Sequence, residues 1–329
     1  LLVRSRRQRQ MCIRDRVLVL ERGRRWRTGP NATTFPDPTN PDKRILWCTS
    51  ASQIFGRPIS VEPYVGLLET VVGDNMTSVC AAGVGGGSLV YQGMTLQPTR
   101  DVFEANFPAA LDWPLMNRVH YPRVTRMLRL ATAPDALVNS PNYRASRHFA
   151  ERVRQEGMPL SKIPMPIDWN FALAELQGKM TPSYTTGDGQ LGVNNGGKFS
   201  VDVTYIAAAE ATGNATVRTH SNVTEIFRNR NGQWTVHVDK LDDSGRAVEK
   251  QILTTPTLIM GAGSVNTTRL LMRAERLGHI GDLPDDLGRG WGTNADRIYT
   301  WTDPDADYGP KQGGPCLLYT SDAADDSLR

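Results

Sequence analysis

An α/β fold is predicted by three stretches of the chain. Val17-Leu18-Val19-Leu20 is a short apolar run ended by Glu21 and Gly23, the pattern of a parallel strand buried on both faces. Thr257-Leu258-Ile259-Met260 is a second such run. It leads through Gly261-Ala262-Gly263-Ser264 into a helix expected from Asn266 to about Leu277. Before it, a helical pattern at Val201–Thr212 gives way to several strand patterns, so both periods occur in one chain.

Each element follows from local chemistry. Glu21 closes the first strand, where dinucleotide-binding folds hold a ribose hydroxyl, although an acid after a strand also occurs without that role. From Arg24 to Asp74, prolines at 30, 36, 38, 41, 58 and 63 break every periodic pattern and predict a long irregular excursion. Loops of that length usually carry function or cover something.

Ala81 to Met94 holds five glycines and no charge, the nearest charged residues being Asp74 and Arg100. Val, Leu and Met flank the glycines, which is not the composition of a flexible linker. Two readings stand: backbone approaching a ligand closely with its N–H groups turned toward it, or a tight turn in the core. No Gly-Lys-Ser/Thr follows, so this is not a phosphate loop.

Residues 101–196 read as a separate, mixed region. Pro122 suits the first turn of a helix reaching about Leu130. A second helix is expected over Pro141–Glu156, stopped by Gly157 and carrying Phe149 and Val153 as its apolar stripe. Pro164, Pro166, Pro182 and the polar run Thr185–Gln190 show no period. Ser200 then opens a helix over Val201–Thr212, closed by Gly213. Strands at 215–219, 223–229, 233–240 and 248–253 follow. The turn sequences Asn229-Arg230-Asn231-Gly232 and Asp242-Asp243-Ser244-Gly245 join three of them into an antiparallel meander. Strand, glycine turn and helix over 257–277 then form the grammar of a nucleotide site, with a third glycine lacking from the spacing.

Composition sets the outer limits. At 329 residues with 39% apolar content and four cysteines, the chain is long enough for one large or two ordinary domains and is no disulfide-stapled mini-protein. No run of about 18 apolar residues is present, so no transmembrane segment is expected. The net charge of +4 divides unevenly: 1–16 carry +5, 316–329 carry −2 and 17–315 carry +1. The Arg-rich start lacks the aromatic interleaving of an RNA binder and runs without a linker into Val17, so no nucleic-acid partner is expected. Both ends, with MCIRDR and LLYTSDAAD, resemble translated sequencing-adapter read-through and are set aside as non-native, together with Cys12 and Cys316. Cys48 and Cys80 are too few to declare a redox compartment, and localisation stays open.

The five histidines, at 120, 148, 220, 237 and 279, show no HExxH, and no paired CxxC accompanies them. No metal site is expected, and His237, inside a strand, reads as an ordinary satisfied residue. Trp234 and Trp301 read as core. No Gly-x-Ser-x-Gly elbow and no distinct carboxylate dyad occur, so hydrolase and metalloenzyme readings fall.

Six strings carry a family resemblance: LVLERG at 18–23, NPDKR at 40–44, GVGGGSLVYQGM at 83–94, KFSVDVTYIAAA at 198–209, GAGSVNTTRLL at 261–271 and GWGTN at 290–294. In this order they resemble the glucose–methanol–choline oxidoreductases, above all the bacterial cholesterol oxidase branch, through nearly all of 17–303. The resemblance implies a Rossmann-like FAD-binding domain with the meander, and an inserted, incomplete α+β substrate domain. Its segments would be 17–100 and 197–300 for FAD, 101–196 for substrate, and 301–315 opening a further substrate segment. It implies oxidation of an alcohol, a sterol in the favoured case, by hydride transfer to FAD, with oxygen the acceptor and hydrogen peroxide the product.

Carried over residue by residue, Glu21 would hold the adenosine ribose, and Gly83, Gly85, Gly86, Gly87 and Ser88 would lie along the pyrophosphate and flavin. Val223 would meet the adenine edge through its backbone. Gly261 and Gly263 would let the chain pass close to the cofactor, and Met94 would sit near the isoalloxazine. Tyr91-Gln92 stands where the family usually has Asn-Gly, which points to a different alcohol or a different gate. The family's first Gly-x-Gly-x-x-Gly, expected just before Val17, is missing, as are the catalytic Glu, His and Asn expected after about 315. The catalytic residues are therefore unknown, and an internal fragment with weak FAD binding and no turnover is expected. Two alternatives remain open: an FAD- or NAD(P)-linked dehydrogenase with another electron acceptor, and a non-catalytic truncated flavoprotein relative.

Overall fold

A computed structural model describes residues 16–37, 40–54, 57–187, 189, 191–292 and 319–320. The segments 1–15 and 301–315, Trp301, Cys12 and Cys316 lie outside the described residues, as does the end of GWGTN. The chain divides into two compact units. Of the described residues, one takes those up to Arg25, in Pro41–Gly87 and from Gly213 to 292; the other takes those in Trp26–Asn40, Ser88–Thr212 and 319–320. Within residues 41–292 the boundaries between the two units fall at 87/88 and 212/213.

In the first unit, β1 (Val17–Leu20) has β7 (Ala215–Arg218) as its parallel neighbour, with Val17 opposite Ala215 and Leu20 opposite Arg218. Burial on both faces, expected for β1, does not hold: Val17 is 50% and Leu18 46% exposed, because β7 is its one ladder partner among the described residues. β8 (Ser221–Arg228), β9 (Trp234–Leu241) and β10 (Ala247–Thr255) pair antiparallel in the order β10-β9-β8. Ile226, Val236 and Val238 project from this sheet onto Ala274 of the helix Gly263–Arg276 and onto Ile280, forming one apolar core.

The run Thr257–Met260 is not a strand. No ladder partner lies beside it among the described residues, and Ile259 is 78% exposed; unpaired backbone polar groups cannot hold a strand by themselves. The helix after it starts at Gly263, three residues before the expected Asn266.

Part of the irregular excursion is also ordered. Two-residue strands β2 (Gln53–Ile54) and β3 (Arg57–Pro58) pair, and β4 (Leu68–Val72) and β5 (Thr77–Ala81) form a five-residue hairpin across Gly73–Met76. The prolines lie before this hairpin, so their disruption of pattern does not extend into it. Trp47, Val65, Ala82 and Leu241 pack a second small core beside it.

The second unit centres on Tyr143, Met165, Ile167, Trp169 and Tyr184, packed with the helices Asp135–Val138, Arg144–Gln155 and Trp169–Leu176. The helix Arg144–Gln155 buries Ser146, Ala150 and Val153. Phe149, expected in its apolar stripe, is 38% exposed, since small residues at 146 and 150 make the close contact instead. Glu175, 3% exposed, accepts hydrogen bonds from the Tyr184 N–H (3.1 Å), the Thr185 N–H (2.8 Å) and the Thr185 hydroxyl (2.7 Å), and from Asn195 Nδ2. Four donors offset the cost of burying that carboxylate. β6 (Ser161–Lys162) pairs antiparallel with β11 (Tyr319–Thr320), so two residues of the end set aside in the sequence take part in a ladder.

Candidate functional site

The site is built around the end of β1. The Glu21 N–H donates to the Arg218 carbonyl at 3.0 Å, and the Glu21 carbonyl accepts from the Ser221 N–H at 2.9 Å, so the backbone here is fixed on both sides. Its carboxylate Oε1 then accepts from the N–H of Gly23 at 2.7 Å and of Gly83 at 3.0 Å. Oε2 accepts no bond among the described residues. Burial raises the pKa of Glu21, opposed by the Gly23 donor, the charge of Arg22 and the Gly83 donor.

Close backbone contact explains Gly23. A Cβ on Gly23 would lie 2.5 Å from the Gly83 nitrogen and 2.6 Å from the Ala82 carbonyl carbon, so no side chain fits. The Val84 N–H donates to the Arg24 carbonyl at 3.1 Å, holding the two stretches together. Beyond this contact the chain turns into the 3-10 segment Gly86–Leu89, with Gly86 in the left-handed region at φ 55°. A Cβ on Gly86 or Gly87 would meet nothing within 4 Å, which leaves bare backbone over open space.

Val223 enters the same unit two residues after Ser221, half-buried on β8 opposite Val238, at a register shift that leaves Thr224 unpaired. Such bulges re-aim the local backbone. Gly261 and Gly263 are exposed, with nothing within 4 Å of an added Cβ. Gly263 is the first residue of the helix, and Ala262 before it supplies no side-chain cap. In the second unit, the Ser88 hydroxyl oxygen accepts from the Val201 N–H at 2.9 Å, and Met94 is 38% exposed. The structure thus joins Glu21 directly to Gly83, gives Val223, Gly261 and Gly263 to the same unit, and places Ser88 and Met94 in the other.

One element of the site has no counterpart in the sequence reading. Glu69 on β4 is gripped by Arg22 at 2.7 Å, Asn266 at 2.9 Å and Arg269 at 3.4 Å. This cluster ties the turn after β1, the hairpin and the first helical turns after Gly263. Burial raises the pKa of Glu69, but Arg22, Asn266 and Arg269 together hold it below the ordinary carboxylate value. The missing signal was the hairpin: without β4, an acid at position 69 had no address.

Among the described residues no group of His, Cys, Asp or Glu is placed to hold a metal ion, and no helix is long and apolar enough to cross a membrane. His237 pairs with Glu225 at 3.4 Å, and Cys48 and Cys80 are free thiols. What the site offers is a half-buried carboxylate with one oxygen unbonded among the described residues, beside bare glycine backbone. Those features suit a ligand that carries a diol and a phosphate chain.

A family model described as GMC oxidoreductase matches residues 167–280. Cholesterol oxidases of Mycobacterium tuberculosis, from strains CDC 1551 / Oshkosh and ATCC 25618 / H37Rv, are each 26% identical over 241 residues, covering 68% of this chain and 40% of theirs. The cholesterol oxidase of Acinetobacter baumannii is 26% identical over 306 residues, or 86% of this chain and 50% of its own. The chain spans half or less of the length of these curated relatives.

Proposed function

From membership of the glucose–methanol–choline (GMC) oxidoreductase family, in its cholesterol oxidase-like branch, we propose that this chain carries the FAD-binding part of an alcohol-oxidising enzyme. GMC oxidoreductases and cholesterol oxidases are FAD-binding flavoproteins. The substrate group we propose is a sterol 3-hydroxyl. The first unit is read as the Rossmann-like FAD domain, and the chain from Ser88 to Thr212 as mainly an inserted substrate domain.

FAD, when bound, supplies a hydride acceptor for the alcohol carbon, and we take oxygen as the terminal acceptor, giving hydrogen peroxide. The chain's own residues bind and orient. Glu21 would accept ribose hydroxyls on Oε2 while Gly23 and Gly83 keep Oε1 fixed. The backbone of Gly83 and Gly85, and the bare backbone at Gly86 and Gly87, would border the pyrophosphate. Val223 would present its main chain to the adenine edge, and Gly261 and Gly263 would allow close passage. Ser88 and Met94 are assigned to the flavin end. No residue of this chain is assigned to move the alcohol's proton.

The observation that carries this reading is the Glu21 carboxylate, half satisfied by two glycine N–H groups and half open. Calorimetric titration with ADP and with FAD tests it. Binding by the wild type, weakened at least about tenfold in Glu21→Ala, is expected from loss of a charge-assisted hydrogen bond. A wild type that takes up neither ligand at millimolar concentration would falsify the reading.

A further inference from the structure

Lys198 is only 6% exposed, and its ammonium rests on backbone oxygens rather than on a carboxylate. Nζ donates to the carbonyls of Leu89 at 3.1 Å and Gly189 at 3.3 Å, and to that of Tyr91. It also sits 4.8 Å from the centre of the Tyr91 ring, an added cation–π attraction. Three hydrogens therefore meet three acceptors. A neutral amine has two hydrogens, so it cannot serve all three carbonyls.

The same stretch is held a second time. Val201, three residues after Lys198, donates its N–H to the Ser88 hydroxyl oxygen at 2.9 Å. Residues 88–91 are thereby clamped onto 198–201 by a hydroxyl at one end and an ammonium at the other. Downstream, the Thr95 N–H donates to the Pro164 carbonyl at 3.1 Å and its hydroxyl to the Gly93 carbonyl at 3.0 Å, so the path is held again from Gly93. The cluster KFSVDVTYIAAA thus contains a residue whose chemistry the proposed activity does not use.

We infer that Lys198 is a positioning residue: its ammonium sets the path of Leu89–Tyr91, and loss of one proton releases that path. Burial pushes the pKa of Lys198 down to about 7, with the charge of Asp202 acting in the opposite direction. Asp202 and Tyr91 are the titratable side chains that bear on it; Asp202 is engaged by the Ser200 hydroxyl, and burial raises the pKa of Tyr91. Tyr91 consequently stays neutral through this range, and Lys198 is the group that changes charge. The inference is independent of the cofactor reading, because every contact lies within the second unit.

Hydrogen exchange of the full chain, read by mass spectrometry on peptides covering 88–95, tests it between about pH 6 and 8.5, a window around the value of about 7. After correction for the intrinsic pH dependence of amide exchange, wild-type protection at 88–95 should fall by about tenfold across the window. Peptides of the helix Arg144–Gln155 should keep theirs. Lys198→Met should remove the pH dependence, and Lys198→Ala should lose protection at 88–95 and regain it in methylammonium, which refits a cation among the three carbonyls. A flat wild-type profile, or unchanged protection in Lys198→Ala, overturns the inference. If the variants do not fold, the wild-type profile alone decides. ADP titration run in parallel separates the two readings: a pH-dependent 88–95 segment in a chain that binds no ADP or FAD would sink the proposed function and leave this inference standing.

Discussion

Arg22 and Glu69 form a 2.7 Å ion pair with side chains only 19% and 13% exposed. Arg22 also lies 4.7 Å over the Trp47 ring, so the guanidinium is held on its face as well as at its edge. Asn266 and Arg269 reach Glu69 from the helix. A strand end, a hairpin and a helix therefore share one carboxylate.

Glu69→Ala is expected to cost about 2–4 kcal/mol, since it strands a largely buried guanidinium. The pKa of Glu69 is lowered, so its stabilisation is present above the ordinary carboxylate value of 4.5 and is lost as pH falls through the folded value. Urea unfolding between neutral and acid pH should show wild type and variant converging in acid. Parallel curves down to the lowest pH would contradict this.

Glu21 has the opposite sign. Its folded pKa is raised, mainly by burial, so its contribution is fully present below the unfolded value of 4.5 and is lost as pH rises through the folded value. Glu21→Gln keeps an oxygen for Gly23 and Gly83 and removes the charge. Its stability at neutral pH should equal or exceed that of wild type, with a flatter profile in mild acid, while ADP binding weakens. A variant that unfolds more readily at neutral pH than wild type would argue against burial as the dominant cause.

The glycines separate packing from binding. Gly23→Ala places a Cβ 2.5 Å from the Gly83 nitrogen and should destabilise by about 1–3 kcal/mol. Gly87→Ala meets nothing within 4 Å, so its stability should change by no more than about 1 kcal/mol, in the stabilising direction. The added methyl should still reduce affinity for FAD by about tenfold or more, because it occupies the bare backbone surface. Thermal melts and FAD titration of both variants provide the comparison.

In the second unit, Glu175→Ala removes the acceptor for four donors. A loss of about 3–5 kcal/mol is expected, as for other buried charged networks broken on one side. Glu175→Gln should cost less but still destabilise, because its amide group faces donors. Chemical denaturation of the two variants would show the order.

The sequence made legible those features that depend on neighbours along the chain. Glu21 was visible because a four-residue apolar run ends at it, and the glycines because five of them stand in an uncharged stretch. Helix stops at Gly157 and Gly213 were visible for the same local reason. What stayed hidden needed distant partners. Thr257–Met260 has the composition of a strand and lacks a ladder partner among the described residues, while Leu68–Val72 has one in Thr77–Ala81 and looked like loop. Glu69 and Lys198 were hidden too: their roles come from Arg22, Asn266 and Arg269 in one case, and from the carbonyls of Leu89, Tyr91 and Gly189 in the other.

The pairing of β1 with β7 also sets the order of events during synthesis. Val17 lies beside Ala215, so roughly 200 residues must leave the ribosome before the first strand meets its neighbour. At about 5–20 residues per second, that is a wait on the order of 10–40 s. During that time an apolar tetrapeptide lacks β7, its one ladder partner among the described residues, a state open to chaperones and to intermolecular pairing. Closing so long a loop also costs entropy before any contact is gained. Ser88–Thr212, which lies between the two strands in the chain, has time to collapse first.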